Sequence, residues 1–574
     1  MPQITNYPGI VINEIDNSAQ TVTTYGSYAA VMGRAMQGIA NSKVLVSSRS
    51  GLIQQFGNPV VYGSYPLVSA IDYGIYAGLE ALKETENLWY VRLTDGTETY
   101  SGACTSGTYT TVSAAASSVI ASAVGYEAGN TPSDIYELRT ASVPVGQLLF
   151  ASIGPGVYGN NVAVTVKTSA VSGVNSDWAN LYDDKGVNST GNPKWPKIFR
   201  VDVYVKDPTQ AWSDISATSQ PVETFYGTTD FVMTDNVGNS LFIEDVINGT
   251  SSYVYVRAQA TDGTLPASLV NITPLTGGKD ATTLSKIDAS GLWESLFSNK
   301  ERNPIDVAIA LPRTMNKDID PNEITSLDAL IGTRYDFVAP IQVGALTATK
   351  EASIKTANTT AQGLMISNPS YFGKYVGWTL VYDAYNSSRV YLPNSIFAAS
   401  VMLRTDRIAH PWDAPAGTDR GIISSGKQNI DIAPALGGRL YDLNINTIKY
   451  VNNIGNVIWG QKTAQLKNTA RNRINVRRGL LFIEKNVEDI LNGFLFKGNT
   501  TKERERVTSM VKAFMQTVLT GGGVQSFKVV CDGTNNNTSS NTLVVDLYVQ
   551  PTYTIEFIKL NTIISASSVT TAEV

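Results

Sequence analysis

Six consecutive segments between residues 305 and 409 constrain this 574-residue chain more than any other feature. "IDVAIALP" (305–312), "YDFVAPIQVG" (335–344) and "YVGWTLVYDA" (375–384) are short and apolar, and read as buried strands. "EITSLDALIG" (323–332), residues 346–364 and "SIFAASVMLRTDRIA" (395–409) alternate with them and read as helices. Strands apolar throughout are covered on both faces, and a strand–helix–strand order favours parallel pairing. Residues 276–435 are therefore expected to form a three-layer α/β domain with a largely parallel sheet.

The flanks differ in pattern. Residues 21–100 mix short strands such as "NLWYVRL" with a helical pattern in "PLVSAIDYGIYAGLEALKE" (66–84), and read as an N-terminal part of the same core. From residue 101 the chain turns Ser/Thr/Ala-rich and nearly uncharged. "NVAVTVKT", "FRVDVYVKD" and "SYVYVRAQA" then alternate apolar and polar residues, so 101–275 is expected to be an inserted all-β domain.

Residues 436–550 are expected to form a C-terminal α/β domain with two long helices. The first, 474–496, carries Val476, Leu480, Ile483, Val487, Ile490 and Leu491 at helical spacing. The second, 502–520, carries Val507, Met510, Val511, Phe514 and Val518 and stops at Gly521. Three strands should follow, in "SFKVVCD", "TLVVDLYVQP" and "TYTIEFIKL". Residues 1–20 and 551–574 read as extended terminal arms.

Composition narrows the function. Charged residues are 16% of the chain and the net charge is −5, so the chain has no overall basic footprint for nucleic acid. Cys104 and Cys531 are too few for a disulfide framework or a metal cluster, and fit synthesis in a thiol-reducing place. No secretory signal and no run long enough to span a bilayer is visible.

Two stretches imitate active sites. "GIISSGKQ" (421–428) approaches a phosphate-binding loop but ends in Gln428, which lacks the metal-ligating hydroxyl, and Pro434 follows closely. The only histidine, His410, has no nucleophile elbow and no ligand set around it. No catalytic, metal or cofactor-binding residue is expected.

A charge run is more informative. Eleven basic residues face five acidic ones between 467 and 512, a local balance of +6. Either this is a solvated helix face or an electropositive surface for an acidic partner, with Arg473, Arg477, Arg478 and Lys485 as its candidates. The ends are informative too. Ile10, Val11, Ile12, Glu14 and Ile15, and Tyr553, Ile555, Phe557, Ile558 and Leu560, form strand-like segments able to pair with a neighbour's sheet edge.

The order of these segments resembles the contractile tail sheath proteins of phages and related injection systems. "PGIVINEID" is similar to the family's PGVYVEE-type start. "AAVMGRAMQGIANSKVLVSSRSGLIQQFG" resembles its VGRAxxGP turn, strand and FG-ending helix. "GPGVYGNNVAV" resembles PGxWGN, with Tyr158 for Trp, and "PLTGGKD" its GG(S/N)DG turn, with Ala281 for the second Gly. "PWDAPAGTDRG" resembles VWKAPAG, departing at Pro411 and Asp413. "LYDLNINTIKYVNNIGNVIWGQKT", "INVRRGLLFIEKNVED" and "FKVVCDGTNNNT" resemble its LxxxGINxI…VWGxRT, NVRRLxxxIExSI and CDxxTN segments.

The resemblance implies a structural subunit and no enzyme. It implies a subtilisin-like topology without protease chemistry in the middle domain, an outward position for 101–275, and arms woven into neighbouring subunits. The implied partners are the chain itself, a tail tube protein, and baseplate and terminator proteins, with no nucleic acid and no membrane insertion. The tube would be gripped by the four basic residues named above. The implied place is a virion tail, assembled in the host cytoplasm. The alternative is another strand-swapped virion protein of the baseplate or decoration type.

Overall fold

The computed structural model describes residues 26–59, 61–62, 70–71, 73–94, 98–105, 112–113, 146–168, 198–215, 219–235, 237–261, 264–280, 291–312, 320–365, 367–423, 426–536 and 541–559. Two four-stranded sheets form its centre. They are continuous, because Ala308 N donates to Val338 O at 2.9 Å and Val338 N to Asp306 O at 3.1 Å. The strand order is Lys43–Val46, Leu88–Arg92, Ala29–Gly33, Val307–Ile309, Ala339–Val343, Phe372–Val376, Ile445–Val451, Gly455–Trp459. Neighbours are parallel except at the two edges, where Lys43–Val46 and Gly455–Trp459 run antiparallel.

Four of the parallel strands, Ala29–Gly33, Val307–Ile309, Ala339–Val343 and Phe372–Val376, are buried along their whole length, as strands covered on both faces are. Helices Gly74–Ala81, Pro321–Arg334, Glu351–Leu364 and Asn394–Ile408 supply apolar residues to the same core. The mixed α/β expectation holds at this level, and three details differ. "YVGWTLVYDA" is broken at Gly377, whose φ of +89° ends the parallel strand. The chain then enters a separate antiparallel sheet as Trp378–Asp383, beside Ser388–Pro393 and Lys427–Gln428. The helical pattern over 66–84 yields a helix only from Gly74 to Ala81, since Ala70–Ile71 pairs with Val61–Tyr62. The boundary expected at 436 falls inside the central sheet, because Ile445–Val451 and Gly455–Trp459 complete its edge.

Residues 103–275 carry their own core. The antiparallel sheet Glu223–Gly227, Phe199–Val205, Val162–Lys167, Leu269–Pro274 and the sheet Val254–Ala258, Leu148–Ser152, Gly102–Cys104 both contribute to it, through Val164, Val201, Phe199, Phe150 and Val256. Three of the sequence motifs meet where this region joins the centre. Buried Arg92 donates to Gly38 O at 2.7 Å and to Pro155 O at 2.6 Å. Asn160 accepts from Ser101 Oγ and from Gly278 N, both at 2.9 Å. Glycine is needed in these turns because a Cβ at Gly154 would stand 1.9 Å from Gly38 O and one at Gly278 would stand 2.1 Å from Ser101 Oγ.

Lys374 is fully buried in the parallel sheet with no carboxylate beside it. Its ammonium donates to Asn358 Oδ1 at 2.7 Å, Gln362 Oε1 at 3.0 Å and Leu443 O at 3.0 Å. Burial lowers its pKa to about 8. The folded pKa lies below the unfolded one, so the unfolded chain holds more protons between about pH 8 and about 10.5. Stability is therefore expected to rise with pH across that window, by up to about 3 kcal/mol from this residue. Urea unfolding of the chain and of Lys374→Met at pH 7.5 and 10.5 checks it: the native chain gains on the variant as pH rises, and equal pH slopes would refute the assignment.

Candidate assembly surfaces at the chain ends

The first expected helix forms as Ile474–Asn492, and it spans two cores. Ile474 and Leu481 pack into the central core, whereas Ile483 and Ile490 pack with Val507, Val511, Phe514 and Val518 of the Thr501–Thr520 helix. Thr500 caps that second helix by accepting from Glu503 N.

Of the four basic residues expected to face a tube, two are buried. Arg477 and Arg478 are 2% and 5% exposed. The Arg477 guanidinium lies 4.2 Å from the Tyr371 ring centre and donates to Ser370 Oγ at 2.8 Å. Arg478 donates to both carboxylate oxygens of Asp406, at 2.5 Å. Lys485 pairs with Asp306 at 2.6 Å, and Arg473 holds Glu556 through two bonds of 2.6 and 2.9 Å. Acids from distant segments meet Arg473, Arg478 and Lys485, a ring and a hydroxyl meet Arg477, and a partnered guanidinium tolerates burial. The exposed remainder of the basic run is Lys467, Arg471, Lys497, Lys502, Arg506 and Lys512.

Both acids also hold the start of the described chain. Asp406 Oδ2 accepts from Ser27 Oγ and Asp306 Oδ2 from Tyr28 N, each at 2.8 Å. Burial raises the Asp406 pKa, against the pull of Arg478. Ile10, Val11, Ile12, Glu14, Ile15 and Leu560 lie outside the described residues.

After the second helix, Val524–Val530 and Asp546–Pro551 form a hairpin. Among the described residues these strands pair only with each other, so both outer edges are open. Val524 and Val529 turn one face toward the helices. Open edges present rows of unpaired N–H and C=O groups.

The expected third strand takes no place in this sheet. From Thr552 the chain runs without a ladder along the central domain. Glu556 accepts from Arg473, from Tyr441 Oη at 2.9 Å and from Gln461 Nε2 at 3.2 Å, and Gln461 also donates to Thr554 Oγ1. Burial first, then the Glu556 charge, pushes the Tyr441 pKa up. The alternating partners Tyr553, Ile555 and Phe557 point away, at 59, 83 and 81% exposure, and Ile558 follows at 87%. A period-2 strip of this kind has one anchored polar face and one free apolar face.

The stretch "PWDAPAG" is a joint. Trp412 donates from Nε1 to Gly521 O at 3.1 Å, and Asn475 Nδ2 donates to Trp412 O at 3.1 Å. A Cβ at Gly479 would stand 2.9 Å from Trp412 Cβ, and one at Gly523 would stand 2.8 Å from Trp412 Cδ2. Trp412 thus fits only because the first helix and the turn after the second present glycine to it. His410 stacks on the Trp412 ring, with the ring centres 4.4 Å apart. Lys427 and Gln428 pair with Leu380 and Thr379 as an edge strand, and Gln428 is bonded to Thr379 and Asn394. Among the described residues no group of three or more His, Cys, Asp or Glu is placed to hold a metal ion, and no helix is long and apolar enough to cross a membrane.

Sequence reasoning missed Asp306, Asp406, Tyr441, Gln461 and Glu556. Their basic partners lie 72 residues away for Asp406, 179 for Asp306 and 83 for Glu556. Only Glu556 left a signal, as one acid at an alternating position in an apolar segment.

Residues 467–565 match the family model of the phage tail sheath C-terminal domain. The chain is 28% identical over 365 residues to the tail sheath protein of Vibrio phage KVP40, across 59% of this chain and 52% of that protein. It is 33% identical over 190 residues to the tail sheath protein of Enterobacteria phage T4, across 32% of this chain and 29% of that one. The chain thus spans about half the length of the KVP40 relative. A solved sheath tail protein from Listeria innocua shares the fold at 10% identity, with a TM-score of 0.51 over 92% of this chain and 95% of that one. By sequence the chain is similar to the tail sheath proteins, it shares the fold of a solved one, and its residues 467–565 match the phage tail sheath C-terminal domain.

Proposed function

We propose that the chain is a structural subunit of a contractile tail sheath. It polymerises around an inner tube and contracts to drive that tube through a bacterial envelope. The observation that carries the reading is the pairing of unmet surfaces: a hairpin with two open edges, and an extended segment with an apolar strip and no strand of its own to join. Its kinship with named tail sheath proteins supports it. So does the provenance of the 467–565 match.

In this reading arms from neighbouring subunits complete the hairpin into a larger sheet, by strand addition. Each ladder bond contributes about 0.5–1.5 kcal/mol. Burying each of Tyr553, Ile555 and Phe557 adds about 1.5–3 kcal/mol. The central domain carries a subtilisin-like topology without hydrolytic use, the β domain at 101–275 faces outward, and the role is structural rather than catalytic. Partners are further copies of the chain, a tail tube protein, and baseplate and terminator proteins. The subunit is assembled in the host cytoplasm and ends in a virion or particle tail. Charge contacts with an acidic tube fall to the exposed Lys502, Arg506 and Lys512 in place of the buried arginines. The extended sheath is held by a kinetic barrier, and contraction draws on new contacts between subunits, so no nucleotide is consumed.

Electron microscopy of the concentrated chain tests this. Hollow tubes of stacked rings or helical turns are expected. Discrete rings or monomers at every concentration would favour a baseplate or decoration subunit instead.

A further inference from the structure

Both chain ends are rooted on one helix. Arg473, its N-cap residue, holds Glu556 on the C-terminal side. Arg478 and Lys485 hold Asp406 and Asp306, and those carboxylates bind Ser27 and Tyr28 on the N-terminal side. Arg478 and Lys485 are seven residues apart, two turns, and so share a face. From Arg473 to Lys485 the helix is about 18 Å long. Apolar packing joins the helix to two cores, Ile474 and Leu481 in one and Ile483 and Ile490 in the other, so its two halves move as one body.

We propose that the Ile474–Asn492 helix is a strut that couples the two arm roots within one subunit. A paired charge on a helix buried along one face has little freedom to relax alone. When Glu556 is pulled from Arg473, the helix shifts as a body. The same shift then alters the Arg478–Asp406 and Lys485–Asp306 pairs, and through them the grip on Ser27 and Tyr28. Release at the N-terminal root runs the other way, since coupling between two sites is reciprocal. The arms of a subunit would therefore respond to load together, with Arg473, Arg478 and Lys485 as positioning residues. The coupling is a property of the single chain, so its failure would leave the sheath reading standing.

The test is amide hydrogen exchange on the soluble full-length chain. Glu556→Gln removes a partly exposed charge at the chain end and leaves the cores untouched. It is expected to speed exchange at the Tyr28 amide, which donates to Asp306, by at least about threefold, the scale of interaction between linked sites. Ser27→Ala, made at the other root, is expected to speed exchange by a similar factor at the Ile474 amide, which donates to Gln461 O beside Glu556. Exchange in Ala339–Val343 should stay unchanged in both, which separates coupling from general loosening. Glu488→Gln removes the Lys300 partner from the solvent side of the same helix and should move neither root. Acceleration confined in each variant to the mutated root, with the distant root unchanged, would overturn the proposal. So would an equal response to Glu488→Gln.

Discussion

A chain ending at Pro551 is expected to fold as the full chain does and to form no tubes. The segment it lacks contributes no residue to a hydrophobic core and no strand to a sheet among the described residues. Arg473 loses Glu556, but it is partly exposed, and water replaces the carboxylate at a cost of about 1 kcal/mol. Assembly loses far more. Each missing arm removes its ladder bonds and the burial of Tyr553, Ile555 and Phe557, together on the order of 5–10 kcal/mol per contact. Circular dichroism should be nearly unchanged while electron microscopy shows no tubes. Tubes of normal length would exclude the arm as the linking element.

The second large effect is expected at Asp406. Asp406→Ala leaves the Arg478 guanidinium, 5% exposed, without its countercharge. Removing one member of a buried pair costs about 3–5 kcal/mol. Replacing both members costs far less, because no uncompensated charge remains. Thermal unfolding of Asp406→Ala, of Arg478→Met and of the double variant distinguishes the cases. The single variants should unfold well below the native chain, and the double variant should recover most of the loss. Single variants within about 1 kcal/mol of the native chain would return Arg478 to the surface role first expected of it.

The contrast between these two predictions shows what a sequence can carry. The central sheet was legible because strands covered on both faces are apolar at most positions, and nothing distant is needed to read "IDVAIALP" or "YDFVAPIQVG". The Ile474–Asn492 helix was legible for the same local reason. The fate of its arginines was not. Arg477 and Arg478 sit beside Val476, and local pattern treats a charge as solvated unless a partner is known. The partners Asp406 and Tyr371 arrive through the fold of the central domain. Gly377 shows the converse error: a run of strand-forming residues spans it, but one positive φ divides the run between two sheets. "TYTIEFIKL" has every local mark of a strand, and the alternation is present, with Thr554 and Glu556 inward and Tyr553 and Ile555 outward. What is missing among the described residues is a partner strand, and pattern alone does not say whose sheet a strand joins.

The central claim is that the Tyr553–Ile558 strip and the open hairpin edges are two halves of one contact between copies. Hydrogen exchange compared between the soluble chain and the assembled particle tests it most directly. The account predicts that assembly slows exchange at the amides of residues 553–558 and along at least one outer edge of the Val524–Val530 and Asp546–Pro551 hairpin. Assembled particles in which both segments exchange as fast as in the soluble chain would contradict it.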